Sequence, residues 1–297
     1  MNTLDHPWFE QWPESDSYRA SDGTINRIPL RLTSSNLIIY GSANLDEVLK
    51  EFEHEDHMPV TVSGEVPVQI WCNNFIDTDC GPNEVANPYT ETWYSFPVTP
   101  KRTSLDLPYE DVFSYNVNAP DTLTWCHRVL CGPAKDGHDL AAKAAIAGGR
   151  EIWGFPKHPD LADLDFDYSD EEAVSFTARH QGNAVMTVKV KRPESTEGYL
   201  AVDADAITET GACITPRQNL KEPSFVAKQT RYTQAFAATM YFSPWDDTTD
   251  SLIIYNDEDF FGGLLHSWMF KPHLKMHCSD LKIVAFKPEG WNANFKG

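Results

Sequence analysis

The chain has 297 residues, of which 41% are hydrophobic and 12% aromatic, and its formal net charge at pH 7 is −20. This composition is sufficient for a packed core, in one large domain or two modest ones. The acidic balance repels the phosphate backbone of nucleic acids and offers no attraction to anionic membranes, so it excludes both as expected partners.

The ends of the chain and its cysteines predict a cytoplasmic protein. Residues 1–10 lack the basic region and apolar run that are typical of a secretory signal. No stretch approaches the roughly 18 consecutive apolar residues that a membrane-spanning helix needs. Six cysteines are few for a chain of this length, which predicts free thiols in a reducing compartment.

The first part of the chain predicts an arm followed by strands. Residues 1–24 mix polar and aromatic types, and we expect a loosely structured arm that lies on a single domain formed by residues 25–297. Asn44 is a typical N-cap for a helix over residues 45–52, whose apolar side chains share one face. Alternating or apolar runs predict strands at 28–32, 37–40, 60–62, 66–75 and 93–98.

The remainder of the chain predicts more strands and two further helices. A run of strong helix formers predicts a helix over residues 138–147, which Gly148 and Gly149 would end. A second, short helix is predicted over 261–270, and Gly182-Asn183 indicates a hairpin turn. Strands are predicted at 111–117, 123–130, 163–168, 173–179, 184–191, 234–242, 252–255 and 281–286.

One lysine stands out by its surroundings. Lys157 directly follows Pro156, at the end of a turn that also contains Trp153 and Phe155. Removal of water from an ammonium group lowers its pKa, and a neutral amine can condense with a ketone to form a Schiff base. The same residue types also fit an ordinary turn lysine beside a packed aromatic patch.

Two motifs resemble segments of the acetoacetate decarboxylase superfamily. The segment Gly149-Arg150-Glu151, hydrophobic residues and Phe155-Pro156-Lys157 resembles the family's lysine segment. The segment Tyr89-Thr90-Glu91-Thr92 with Phe96-Pro97-Val98 is similar to the one that carries an active-site glutamate. With a weaker match at 37–49, the resemblance covers most of residues 35–160. It implies a mostly β (α+β) fold, whose antiparallel strands close into a barrel or cone with a few outer helices.

The resemblance also implies a site. Lys157 would be the Schiff-base nucleophile, and Glu91 would move protons, although its residue type alone fits a surface glutamate. Arg150 could bind a substrate carboxylate, or it could pair with an acid to hold the turn. The other candidates for contact with the substrate are His158, Trp71, Tyr89, Trp93, Trp153 and Phe155.

The chain departs from the family at three positions. His158 replaces a second lysine, so burial would have to do more to depress the pKa of Lys157. Thr33 replaces an arginine, and Trp71 replaces a second glutamate. The loss of an arginine and an acid, with the gain of a tryptophan, indicates a larger and more apolar substrate than a small keto acid.

The sequence therefore predicts a cofactor-independent lyase. It would decarboxylate a β-keto acid or a polyketide-like carbonyl compound of secondary metabolism, as a homo-oligomer without a metal. The alternatives are an aldolase, dehydratase or cyclase of the same superfamily, or a non-catalytic protein that binds small molecules. No dinucleotide, phosphate-loop or serine-elbow motif occurs, and His273 and His277 lack the glutamate of a zinc protease motif.

Overall fold

The fold is dominated by β-strands. The computed structural model describes residues 3–52, 57–80, 87–101, 123–135, 137–192, 200–203, 211–214, 233–237, 239–255 and 261–287. Within these ranges the helices are two short 3-10 helices, Thr3–Asp5 and Pro7–Gln11, and the α-helices α1 (Leu45–Glu51), α2 (Asp139–Glu151) and α3 (Gly262–Ser267). The prediction of a mostly β chain with a few helices is confirmed. None of the described helices has the length and apolarity that a membrane span requires.

The strands are numbered in chain order. They are β1 (Asp16–Arg19), β2 (Ile25–Ile28), β3 (Leu30–Asn44), β4 (His57–Pro59), β5 (Glu65–Thr78), β6 (Tyr89–Pro100), β7 (Leu123–Pro133), β8 (Asp163–Asp167), β9 (Ala173–His180), β10 (Asn183–Lys191), β11 (Leu200–Asp203), β12 (Gly211–Ile214), β13 (Thr233–Ala237), β14 (Thr239–Pro244), β15 (Ser251–Ile254) and β16 (Lys271–Ala285). The strand predicted at 111–117 lies outside the described residues.

The main sheet has ten strands, in the order β11-β14-β16-β13-β12-β7-β6-β5-β3, with β4 paired to β6 and a further pairing of β16 with β3. It is not the simple closed antiparallel barrel or cone that the sequence predicts. In such a barrel each strand has two neighbours, whereas β16 pairs with β3, β13 and β14 along its length, and β12 pairs with β7 in parallel. The long strand β16 accounts for this difference, because its 15 residues are enough for several partners.

The two faces of the main sheet are covered differently. On one face, Ile70 and Phe96 belong to the same buried cluster as Phe176 and Val188 of a second, four-stranded sheet of order β15-β10-β9-β8. On the other face, Tyr89 and Cys131 belong to a cluster with the alanines of α2. Because side chains alternate along a strand, successive residues of β6 face these two different surroundings.

Strand β3 is longer than predicted. The sequence indicates two strands, at 28–32 and 37–40, because the intervening Thr33-Ser34-Ser35-Asn36 is polar. In the structure these residues continue the strand and pair with β5 on one side, and Ser34 and Asn36 are buried. Hydrogen bonding to neighbouring strands therefore outweighs the local polarity.

The helix signals are partly confirmed. The side chain of Asn44 accepts a hydrogen bond from the Glu47 amide at the start of α1, as an N-cap does. The prediction that Gly148 and Gly149 end the second helix is wrong, since α2 continues to Glu151. A Cβ at Gly148 would lie 2.3 Å from a side-chain atom of Asn26, so this glycine permits close packing rather than termination.

The first residues pack on the main sheet. Leu4 and Phe9 are buried in a cluster with Val284 of β16, and β1 pairs with β2 as a two-stranded sheet. The division into an arm at 1–24 and a domain at 25–297 stays a prediction.

Candidate active site

The turn after α2 places Lys157 against the main sheet. Gly154 has a φ of +68°, a left-handed conformation that glycine adopts without strain. The Phe155 amide donates to the carbonyl oxygen of Gly149. Val129 of β7 then binds the chain on both sides of Lys157, since its amide donates to Pro156 and its carbonyl accepts from His158. Lys157 is thereby fixed by backbone contacts to a strand of the sheet.

The side chain of Lys157 meets Glu91. Its Nζ lies 2.6 Å from Oε2 of Glu91, and the two residues are 4% and 6% exposed. Glu91 lies near the start of β6, on the face that α2 covers. The two residues are 66 positions apart in sequence, and the pairing of β6 with β7 together with the turn brings them together. This is a buried ion pair, in which each charge depends on its partner because no water solvates it.

The ion pair changes the expected acidity of the lysine. Burial lowers the pKa of Lys157, whereas Cys131 and Glu91 raise it, and the net direction is upward. Burial raises the pKa of the Cys131 thiol well above its usual value. Cys131 is therefore uncharged near pH 7, and we attribute the upward direction to the carboxylate of Glu91. The prediction that burial leaves Lys157 with a depressed pKa is therefore wrong, because the carboxylate of Glu91 outweighs the effect of burial.

Aromatic rings surround the ion pair. Nζ of Lys157 lies 5.5 Å from the centre of the Tyr89 ring and 5.9 Å from that of Phe155. The ring of Tyr89 stacks on Phe75, with centroids 4.5 Å apart. Burial, followed by the charge of Glu91, raises the pKa of the Tyr89 phenol well above its usual value. Tyr89 therefore stays protonated and is able to donate a hydrogen bond in a site that excludes water.

A second aromatic pair lies one step along the same strands. Trp71 and Trp93 stack at 5.5 Å with an angle of 9° between the rings. They are direct cross-strand partners on β5 and β6, two residues from the position of Glu91 on the same face. Both candidates from the sequence thus form one apolar surface beside the acid.

The structure adds neighbours that sequence reasoning missed. Cys131 lies opposite Glu91 on β7, and its Sγ is 3.5 Å from Oε2 of Glu91. Asn73 lies opposite Glu91 on β5, and Asn36 lies opposite Asn73 on β3. We call Asn36, Asn73, Glu91 and Cys131 the Glu91 row, because directly opposite residues of antiparallel strands share a face. Only the strand register, which a single sequence does not reveal, identifies this row.

Gly149 is a further missed residue. A Cβ at this position would lie 2.5 Å from Cε and 2.7 Å from Cδ of Lys157, which is closer than van der Waals contact. The second glycine of the pair in α2 therefore makes room for the lysine side chain.

Arg150 and Trp153 have structural contacts. Nη1 of Arg150 donates to the carbonyl oxygen of Lys157 at 3.1 Å, which favours the interpretation that Arg150 holds the turn. Trp153 is 1% exposed, and its indole nitrogen donates to the carbonyl oxygen of Phe286. The first bond joins the end of α2 to the backbone at Lys157, and the second joins the turn to the residue after β16.

His158 does not act as a second cation beside Lys157. Burial, followed by the charge of His180, lowers the pKa of His158, so it is neutral near pH 7. Its Nδ1 accepts a hydrogen bond from the Asp160 amide, and its ring packs edge-on against His180 at 4.6 Å. The ligand atoms of His158, Asp160 and His180 lie within 4.8 Å of one another, so these three are the residues that could hold a metal ion among those described.

The sequence profile of the acetoacetate decarboxylase (ADC) family matches residues 59–225, which is more than half of the chain. The matched range contains both Glu91 and Lys157. No curated protein has a sequence that matches this chain significantly.

Several solved structures have a similar fold. A crystal structure of acetoacetate decarboxylase from Legionella pneumophila subsp. pneumophila str. Philadelphia 1 has a TM-score of 0.58 at 16% identity and covers 97% of this chain and 95% of its own. The enduracididine biosynthesis enzyme MppR, complexed with pyruvate, has a TM-score of 0.55 at 8% identity, over 88% and 89%. An acetoacetate decarboxylase-like enzyme from Sphingomonas wittichii RW1 has a TM-score of 0.52 at 9% identity, over 87% and 91%. At these identities the similarity shows the fold.

Proposed function

Because this chain belongs to the acetoacetate decarboxylase family, we propose that it is a Schiff-base-forming lyase in which Lys157 is the nucleophile. One observation carries the proposal, namely the buried contact of 2.6 Å between Nζ of Lys157 and Oε2 of Glu91. A buried lysine held beside a buried acid, with the rings of Tyr89 and Phe155 near its ammonium, has both groups that Schiff-base formation needs.

The contact supplies the neutral amine by proton transfer rather than by a low pKa. Glu91 takes a proton from the ammonium of Lys157, which converts a buried pair of charges into a neutral amine and a neutral acid. The amine attacks the ketone carbon of the substrate and forms a carbinolamine. Glu91 returns its proton to the hydroxyl group, which leaves as water, and the product is an iminium on Lys157.

The iminium then accepts electrons from the substrate. In a β-keto acid the bond to the carboxylate breaks, carbon dioxide leaves, and the electron pair forms an enamine. A proton from solvent water adds to the enamine carbon and regenerates the iminium. A second water molecule then hydrolyses the iminium, which releases the shortened ketone and free Lys157. Decarboxylation is the first candidate reaction on this basis.

A second candidate keeps the iminium and omits carbon dioxide release. Arg150 is bound to the backbone of the turn, and Thr33 stands where the family has an arginine, so neither provides a free cation for a substrate carboxylate. This observation favours aldol, dehydration or cyclisation chemistry on a less charged carbonyl compound.

A substrate panel separates the two candidates. The purified chain is incubated with acetoacetate, with a longer β-keto acid and with pyruvate plus an aromatic aldehyde, and carbon dioxide and condensation products are measured. Carbon dioxide from either β-keto acid supports decarboxylation. Condensation without carbon dioxide supports the second candidate. Binding with no reaction and no adduct on Lys157 would contradict both.

The close approach of Gly149 to Lys157 gives a specific prediction. Gly149→Ala should leave α2 folded, because alanine is a better helix former than glycine. The added methyl group displaces the lysine side chain, and we expect turnover to fall roughly 10²-fold, as for a reacting group misplaced by about 1 Å. Lys143→Ala, on the exposed side of the same helix, is the control and should retain full turnover. Full activity of Gly149→Ala would show that the lysine does not need its observed position.

A further inference from the structure

We propose that Asn73 and Asn36 bind neutral oxygen groups of the substrate, beside the carbonyl that Lys157 attacks. This inference rests on the proposed function and narrows its substrate to ketones that carry a further hydroxyl or carbonyl oxygen along the chain.

The two asparagines are buried without visible hydrogen-bond partners. Asn73 is 0% exposed and Asn36 is 1% exposed. Both the amide nitrogen and the amide oxygen of each lack a partner among the residues that the structure describes. A buried polar group that forms no hydrogen bond costs free energy, and native proteins rarely leave one unpaired. Four such atoms at adjacent positions indicate groups that a bound molecule satisfies.

The strand register directs these amides toward the site. Asn73 is the direct partner of Glu91, and Asn36 is the direct partner of Asn73. Because neighbouring strands are about 5 Å apart, the asparagines lie about 5 Å and about 10 Å from Glu91 along the row. On β5 and β6, the next row on one side of the Glu91 row contains the stacked rings of Phe75 and Tyr89. The next row on the other side contains the stacked rings of Trp71 and Trp93. The asparagines are thus a polar strip between two apolar surfaces.

The chemistry of the strip selects neutral oxygens over charged ones. An asparagine amide both donates and accepts hydrogen bonds but carries no charge. A substrate carboxylate next to Asn73 would be buried close to the negative Glu91, which is unfavourable without a second cation. A hydroxyl or a carbonyl oxygen carries no such penalty. A four-carbon keto acid held at Lys157 is too short to reach both asparagines, so the strip fits a longer, oxygenated ketone.

Two ketones of equal length test the proposal. The probes are octan-2-one and 7-hydroxyheptan-2-one, which differ in the replacement of the terminal methyl group by a hydroxyl group and whose chains are long enough to disfavour closure to a cyclic hemiketal. Each is incubated with the whole chain and sodium borohydride, and the concentration that gives half-maximal labelling of Lys157 is read by mass spectrometry. We expect the hydroxyketone to label at a roughly tenfold lower concentration, which corresponds to about one net hydrogen bond.

Leucine variants locate the effect. Asn73→Leu and Asn36→Leu keep the side-chain size and remove the hydrogen-bonding groups. We expect the preference for the hydroxyketone, measured as the ratio of the two half-maximal concentrations, to disappear in at least one of them. A general loss of reactivity would weaken labelling by both ketones and keep the ratio. Asn74→Leu is the matched control, because Asn74 is the next residue on β5 and points to the opposite face. It should keep the preference.

The outcomes separate this inference from the proposed function. If both ketones label Lys157 equally in the wild-type chain, or if the leucine variants keep the preference, the asparagines do not bind the substrate and the inference fails alone. The comparison of the two ketones on the wild-type chain tests the inference even if a variant does not fold. If neither ketone labels Lys157 at any concentration, the proposed function fails, and this inference fails with it.

Discussion

Replacement of Lys157 with alanine is expected to reduce turnover to background, a loss on the order of 10⁴-fold or more, because the covalent route disappears with the amine. The measurement is the rate with whichever substrate the panel identifies, together with thermal unfolding to confirm that the variant folds.

A second variant distinguishes a nucleophilic role of Lys157 from a role as the charge partner of Glu91. Lys157→Arg keeps a positive charge beside Glu91, but a guanidinium does not deprotonate in proteins and is no nucleophile. We therefore expect the arginine variant to unfold near the wild-type temperature and to be as inactive as the alanine variant. Substantial activity in Lys157→Arg would reduce Lys157 to a structural partner of Glu91.

The second large effect is expected at Glu91, where one substitution should lower both turnover and the pKa of Lys157. Glu91→Gln keeps the shape of the side chain but removes the group that exchanges a proton with Lys157. Turnover should fall by roughly 10²–10⁴, the usual contribution of an acid-base group. At the same time the pKa of Lys157 should fall, because its burial lowers the pKa and the carboxylate that opposes this effect is gone.

The pH dependence of acylation measures the second quantity. An acylating reagent modifies the neutral amine, so the rate of Lys157 modification rises through its pKa. The rise should occur at lower pH in Glu91→Gln than in the wild-type chain. Glu65→Gln, at an exposed acid on β5, should leave both the pH dependence and the turnover unchanged. An unaltered pH dependence in Glu91→Gln would show that the carboxylate does not control the lysine.

The ion pair is the part of the candidate site that short motifs predict. The segments around Lys157 and Glu91 each single out one residue, and the structure brings the two side chains into contact, with the rings of Tyr89 and Phe155 near the ammonium. Trp71 and Trp93 stack one row along the same strands. These motifs are informative because the turn and the start of β6 each place the predicted residue within a few positions of its structural support, whereas its catalytic role stays a prediction.

Other features depended on contacts between distant segments. The polar run Thr33 to Asn36 resembles a break between strands, and only pairing with β5 and β16 shows that it continues β3 and places Asn36 in the Glu91 row. Gly149 resembles a helix end, and only the position of Lys157 explains its lack of a side chain. The sign of the Lys157 pKa shift likewise depends on a carboxylate 66 residues away. Such features follow from register and packing, which local composition does not encode.

Reductive trapping tests the central claim most directly. The wild-type chain is treated with sodium borohydride in the presence of acetone, digested, and mapped by mass spectrometry. The account predicts a stable isopropyl adduct on the peptide that contains Lys157, which Lys157→Arg abolishes and Lys143→Ala retains. An adduct confined to other lysines, with Lys157 unmodified, would contradict it.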